Sequence, residues 1–193
     1  MMSTQIKQTF TDKMVEQGIA ECAEAHFAGD VRKVRQALLK GQCEHCGCLS
    51  DSLARQISEY LGQEDSRVEA VYQYGAAFVP EAAQADANES KANTGIHLVA
   101  HVERKSAALS ALIETLKVVV TDSLQALGCP KATPGCYTLD IEMVDVRDIR
   151  ECRGFGLLVN NPYLRSQQVW SRSGRPERPS VQETEAPGRV RYA

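Results

Sequence analysis

The chain has no apolar run near the roughly 18–20 residues that a membrane-crossing helix needs, and its start, MMSTQIKQTFTDK, lacks the apolar centre of a secretory signal. No membrane role and a cytoplasmic location are the resulting expectations. Strong charge of one sign is missing too. Twenty-two Lys and Arg stand against 25 Asp and Glu, and a formal charge of -3 gives no broad pull toward nucleic acid or anionic lipid. Also absent are a nucleophile elbow, a phosphate-cradling glycine loop, a Walker motif and H-E-x-x-H. Gly154-Phe155-Gly156 does not substitute for such a loop, because a preceding strand and a third glycine are missing. These absences lower the case for catalysis without excluding it.

What is present is an ordinary globular composition, 43% hydrophobic and 24% charged, in 193 residues, enough for one real core. Seven cysteines, an odd number without an export signal, favour reduced thiols or metal ligands over a disulfide framework. Four of them fall between Cys22 and Cys48, and Cys43, Cys46 and Cys48 form C-x-x-C-x-C.

Gly29-Asp30 breaks a helical run, with Asp30 placed to cap a second helix over about Val31 to Lys40 that Gly41 ends. At 1.5 Å per residue, Cys22 lies roughly 10 Å before this turn and Lys40 roughly 15 Å after it. The hairpin thus sets Cys22 about level with the cysteine loop. That spacing predicts a four-sulfur site of Cys22, Cys43, Cys46 and Cys48, with His26 or His45 as alternates, and a new helix starting at Ser50-Asp51. Zinc suits such a tetrahedral set. An iron–sulfur cluster and unligated thiols are the alternatives.

Further along, the pattern predicts an α+β fold. The N-terminal hairpin and its Cys-rich loop precede a small mixed sheet covered by a long amphipathic helix. A first helix is expected from Thr11, after a frayed start, and another over DSLARQISEYLG, stopped by Gly62. Strands are expected at 67–74, with Val68, Ala70, Tyr72 and Tyr74 on one face, at 96–103, and at 137–144. Pro80 to Gly95 reads as a mobile loop. Ser106 caps a helix to about Leu127, striped by Leu109, Leu112, Ile113, Leu116, Val119, Val120, Leu124 and Leu127.

Cys129 and Cys136 read as two thiols in a plain loop, with a second metal half-site as the alternative. Residues 148–159 are helix-like but weakened by glycines, and Val169-Trp170 suggests a last edge strand. The divisions are 1–62 helical, 63–170 sheet domain, forming one compact unit with the first, and 171–193 a disordered tail whose loss should leave stability unchanged.

His97 and His101 share a strand face roughly 13 Å apart, too far to bind one metal. With Asp140 and Glu142 on the third strand they are the candidate catalytic groups. The order helix, strand, loop, strand, long helix, strand over residues 52–146 resembles the minimal nucleotidyltransferase fold. Tyr74-Gly75-Ala76 stands near that family's Gly-Ser turn, and Thr94-Gly95-Ile96-His97-Leu98 stands where Ser-Asp-Ile-Asp-Leu would. The resemblance implies that both metal-binding aspartates are lost, to Gly95 and His97, and that Asp140 or Glu142 matches the third carboxylate. One carboxylate cannot hold two magnesium ions, so the resemblance implies a dead site.

Three function classes follow. The first is a non-catalytic, metal-stapled interaction or regulatory module whose tail and long loop contact a protein partner. The others are an enzyme related to nucleotidyltransferases, or a hydrolase, and a redox sensor built on the cysteine loop.

Overall fold

The computed structural model describes residues 4–39, 46–74, 95–126, 139–160 and 166–174. Of the expected loop at Pro80 to Gly95 all but Gly95 lies outside these residues, as do Cys43, His45, Leu127, Cys129 and Cys136. In chain order the elements are α1 (Thr4–His26), α2 (Val31–Leu39), α3 (Cys46–Glu64), β1 (Val68–Tyr74), β2 (Ile96–Val102), α4 (Ala107–Ala126), β3 (Leu139–Asp145), α5 (Val146–Arg150), α6 (Gly156–Asn160) and β4 (Gln167–Ser171). The class is α+β.

The hairpin forms where Asp30 accepts from the backbone N–H groups of Arg32 and Lys33 at 3.0 and 3.3 Å, satisfying donors that the first turn of α2 leaves open. Two helix starts differ from expectation. α1 begins at Thr4, not Thr11, and α3 begins at Cys46, not Ser50, so Cys46 and Cys48 sit on a helix. The cause on α3 is packing: Leu49 is fully buried, with Leu53, Ile57 and Leu61 continuing its apolar face. That buried stripe extends the helix back into a stretch whose cysteines and Gly47 read locally as loop.

The sheet runs β3-β2-β1-β4, with β1 antiparallel to both β2 and β4 and β2 parallel to β3. One face carries Val68, Val71, Ile96, Leu98, Ala100, Val102, Leu139 and Ile141 into the main core, shared with α1, α2, α3 and α4. The other face is smaller, with Ala70, Tyr72, Val99 and Val144 packed by Tyr74, Ile149, Leu158 and Val159. The expected single face of Val68, Ala70, Tyr72 and Tyr74 is therefore corrected. An irregularity between Val68 and Ala70 in the pairing with β2 shifts the phase, placing Val68 and Val71 together and turning Ala70 and Tyr72 to the opposite side.

Ser106 caps α4 through Leu109 N–H at 3.2 Å, and α4 packs on α1 and β3, where Ser123 donates to Asp12 at 2.7 Å. The expected helix over 148–159 is two short ones. Asp145 caps α5 by accepting from Arg147 and Asp148, and Asp148 answers by accepting from the Asp145 N–H.

The boundary at Ser171 also moves. Ser171 lies within β4, opposite Ala70, and Arg172 donates to the carbonyls of Val68, Gly62 and Asp65 at 3.0, 2.7 and 3.1 Å. No helix among the described residues is long and apolar enough to cross a membrane.

Candidate functional site

The thiols come first because the helix packing delivers two of them to one place. α1 and α3 run antiparallel in close contact. A Cβ on Gly18 would lie 2.8 Å from Leu49 Cδ1, so a glycine is what lets the two helices approach at this level. Alongside, Glu21 accepts from Ser52 Oγ and from Arg55 Nη2, each at 2.5 Å. The next residue, Cys22, is fully buried in the main core, and Cys48, partly exposed, packs against that core.

Burial, then the Cys48 thiol, then the negative charges of Glu21 and Asp51 push the Cys22 thiol far above its usual range. It is therefore a protonated thiol in an electronegative setting. Glu21 shifts the other way: the Ser52 hydroxyl holds its carboxylate below the usual range against the opposing effect of burial, with help from Gln17 and Arg55.

Of the expected ligands, Cys22 and Cys48 are thus neighbours. Cys43, His45 and the side chain of Cys46 lie outside the description. His26 is the last residue of α1 and exposed. Among the described residues, no group of three or more His, Cys, Asp and Glu is placed to hold a metal ion.

The second place is the smaller sheet face. Parallel pairing sets His97 beside Asp140, and Tyr74 is the β1 partner of His97. Tyr74 Oη donates to Asp140 Oδ2 at 3.3 Å, His97 Nδ1 stands 4.0 Å from the same oxygen, and Lys117 Nζ is 3.4 Å from Oδ1. The Tyr74 ring packs against both His97 and Phe155, with its centroid 5.4 Å from each of theirs. Burial, then the charge and hydrogen bond of Asp140, then Glu142 raise the Tyr74 hydroxyl far beyond its ordinary value, so it remains a donor. At Lys117 burial works against the charge, but Glu114 and Asp140 outweigh it and the net shift is upward.

His101 belongs to a different pair, with Nε2 3.4 Å from Glu69 Oε2. That contact has ion-pair distance without hydrogen-bond geometry, and the Nε2 atoms of His97 and His101 are both buried without a hydrogen-bond partner among the described residues. The four sequence candidates are therefore divided: His97 with Asp140, His101 with Glu69, and Glu142 beside the first pair. Sequence reading missed Tyr74, Lys117 and Phe155. The strand alternation that placed His97 held the signal for Tyr74, whereas Lys117 and Phe155 come from elements whose position no local pattern reveals.

Comparison with protein-family models, characterised proteins and solved structures gave no match.

Proposed function

We propose that this chain is a non-catalytic interaction or regulatory module, working on a protein partner in the reducing cytoplasm, whose helical third is stapled by one structural metal. The reading rests on the placement of Cys22 on α1 and Cys48 on α3 against the same core, close enough for the Cys48 thiol to raise that of Cys22. Two cysteines from separate helices meet one core, and the nearby Glu21 and Asp51 carboxylates disfavour added negative charge in a way that a cation would relieve. Cys43 and Cys46, with His45 as alternate, would supply the remaining donors, and zinc suits that set. Its contribution would be structural, since ligation couples directly to folding.

The test is metal content of freshly purified protein together with helical signal in strong chelator. Bound zinc and lost helicity on chelation are expected. Metal-free protein with unchanged helicity would sink the reading, and bound iron with visible absorption would reassign the site to a cluster.

A second reading, an enzyme related to nucleotidyltransferases with an altered site, is favoured by one observation. His97, at the position where the resemblance expects an aspartate, pairs in register with Asp140. Magnesium-dependent transfer of a labelled nucleotide, abolished by Asp140→Ala, would establish it. No transfer would leave the module reading in place.

A further inference from the structure

We propose that the groove between α1 and α3 is a binding site for a small, uncharged, planar heterocycle with adjacent hydrogen-bond donors and acceptors, the chemistry of a free nucleobase. The two helices approach closely where Gly18 faces Leu49, and on the side away from Cys22 an open groove of about 330 Å³ lies between them. That volume falls at the lower end of the roughly 300–1,000 Å³ that small-molecule sites occupy. Met14 and Gln17 line it from α1, and Gln56, Tyr60 and Gln63 from α3. The groove shares no lining residue with the Tyr74–Asp140–Lys117 cluster or with the thiols.

Three glutamine carboxamides give the groove its character. Gln17 Nε2 donates to Glu21 Oε1 at 3.2 Å, Gln56 Nε2 to Ser52 Oγ at 3.1 Å, and Gln63 Nε2 to Glu59 Oε1 at 3.2 Å. Ser52 in turn donates to Glu21, so one carboxylate orients a carboxamide on each wall, Gln17 directly and Gln56 through the serine. A carboxamide carries two N–H donors and a carbonyl acceptor. Each of the three therefore keeps one N–H and its carbonyl oxygen, which make no other hydrogen bond among the described residues. Groups already oriented, with a donor and an acceptor to spare, suit a ligand edge on which donor and acceptor stand side by side, as when a glutamine meets adenine.

Two further features narrow the class. Lys13 and Glu59 are the charged residues of the lining, and one of each sign leaves the groove without net charge, so neither an anion nor a cation is selected. Met14 and Tyr60, 5% and 8% exposed, are its buried members. A thioether and an aromatic ring favour contact with a π face over contact with the hydroxyl-covered surface of a sugar.

The test is titration of adenine, hypoxanthine and uracil into the full-length protein, with glucose as the hydroxyl-rich comparison. Saturable shifts of the Gln17, Gln56 and Gln63 side-chain amide signals and of the Met14 methyl are expected by nuclear magnetic resonance, with a Kd below about 1 mM for at least one base and no response to glucose. Gln17→Leu and Gln56→Leu should each weaken binding about tenfold, because each removes one hydrogen-bonding edge. Gln36→Leu, the same change on the exposed side of α2, should leave binding unchanged. Gln17 is exposed, so its variant carries the test should the half-buried Gln56 variant fail to fold. No base bound below that limit, shifts confined to residues outside the groove, equal binding by the Gln17 and Gln36 variants, or preference for glucose would each overturn the proposal. None of these readouts depends on metal content, so this inference and the metal-stapled reading fail separately.

Discussion

At Gly62 a single residue carries two opposite expectations. A glycine inside a helix costs up to about 1 kcal/mol relative to alanine, so Gly62→Ala would ordinarily stabilise. Here an added Cβ would overlap the Trp170 ring, which partner strand β1 and the Arg172 guanidinium, 5.6 Å from the ring centroid, hold in place. Overpacking of that kind costs about 1–3 kcal/mol, so we expect Gly62→Ala to lower stability by about 1–2 kcal/mol in a urea titration. A stabilised variant would mean that Trp170 moves aside freely. The sequence reading made Gly62 a helix stop, whereas α3 continues to Glu64, because the glycine answers a tryptophan far along the chain that no local window contains.

Acid should act at the same corner. Asp65 accepts from Arg67 Nε, Nη2 and backbone N–H, and the Arg67 side-chain hydrogen bonds hold its carboxyl below the usual range against the opposing effect of burial. A depressed folded-state pKa means that the stabilisation is fully present above the unfolded value near ~3.9 and is lost as pH falls through the lower folded value. Asp65→Asn should therefore flatten the fall in stability below about pH 4, measured as midpoints across an acid series. An unchanged slope would show that the pair contributes nothing to folding.

Between elements, the hairpin was legible because its signals are local. Gly29-Asp30 marks the turn and Asp30 sits where a cap must. α2 has nine residues, too short to persist alone, so its cap and its docking through Val34, Ala37 and Leu38 must sustain it together. Asp30→Ala should cost about 1 kcal/mol, read as a lowered denaturation midpoint, and Asp30→Ser should recover most of it. An equal loss in both variants would point away from capping. Less legible were the starts of α1 and α3 and the face of β1. The α3 start and the β1 face depend on tertiary contacts: Leu49 docking on α1, and an irregularity in pairing that reverses which β1 residues meet the core. The candidate sites divide in the same way. Cysteine spacing indicated Cys22 and Cys48 before any fold was known, but the Tyr74–Asp140–Lys117 cluster needs the parallel β2–β3 pairing and the approach of α4.

For the molecule as a whole, the main core joins the helical third to the sheet, so the stretches on either side of residue 62 share one interior. The C-terminal boundary is where this matters most. Truncation after Trp170 removes Ser171, the partner of Ala70, and Arg172, whose backbone N–H donates to Glu69 at 2.8 Å and whose side chain reaches three carbonyls around the α3–β1 corner. At about 0.5–1.5 kcal/mol net per hydrogen bond, with partial exposure keeping the sum below simple addition, that truncation should cost about 2–4 kcal/mol. Truncation after Gly174 keeps all of these bonds and removes only a stretch rich in Pro and charge, so its effect should stay within about 0.5 kcal/mol. Arg172→Ala in the full chain should fall between the two, because it retains the β4 backbone but loses the guanidinium. Urea midpoints of the three proteins decide the matter: equal stability of both truncations would mean that Arg172 does not anchor the corner, and a large loss on cutting after Gly174 would place a stabilising contact beyond it.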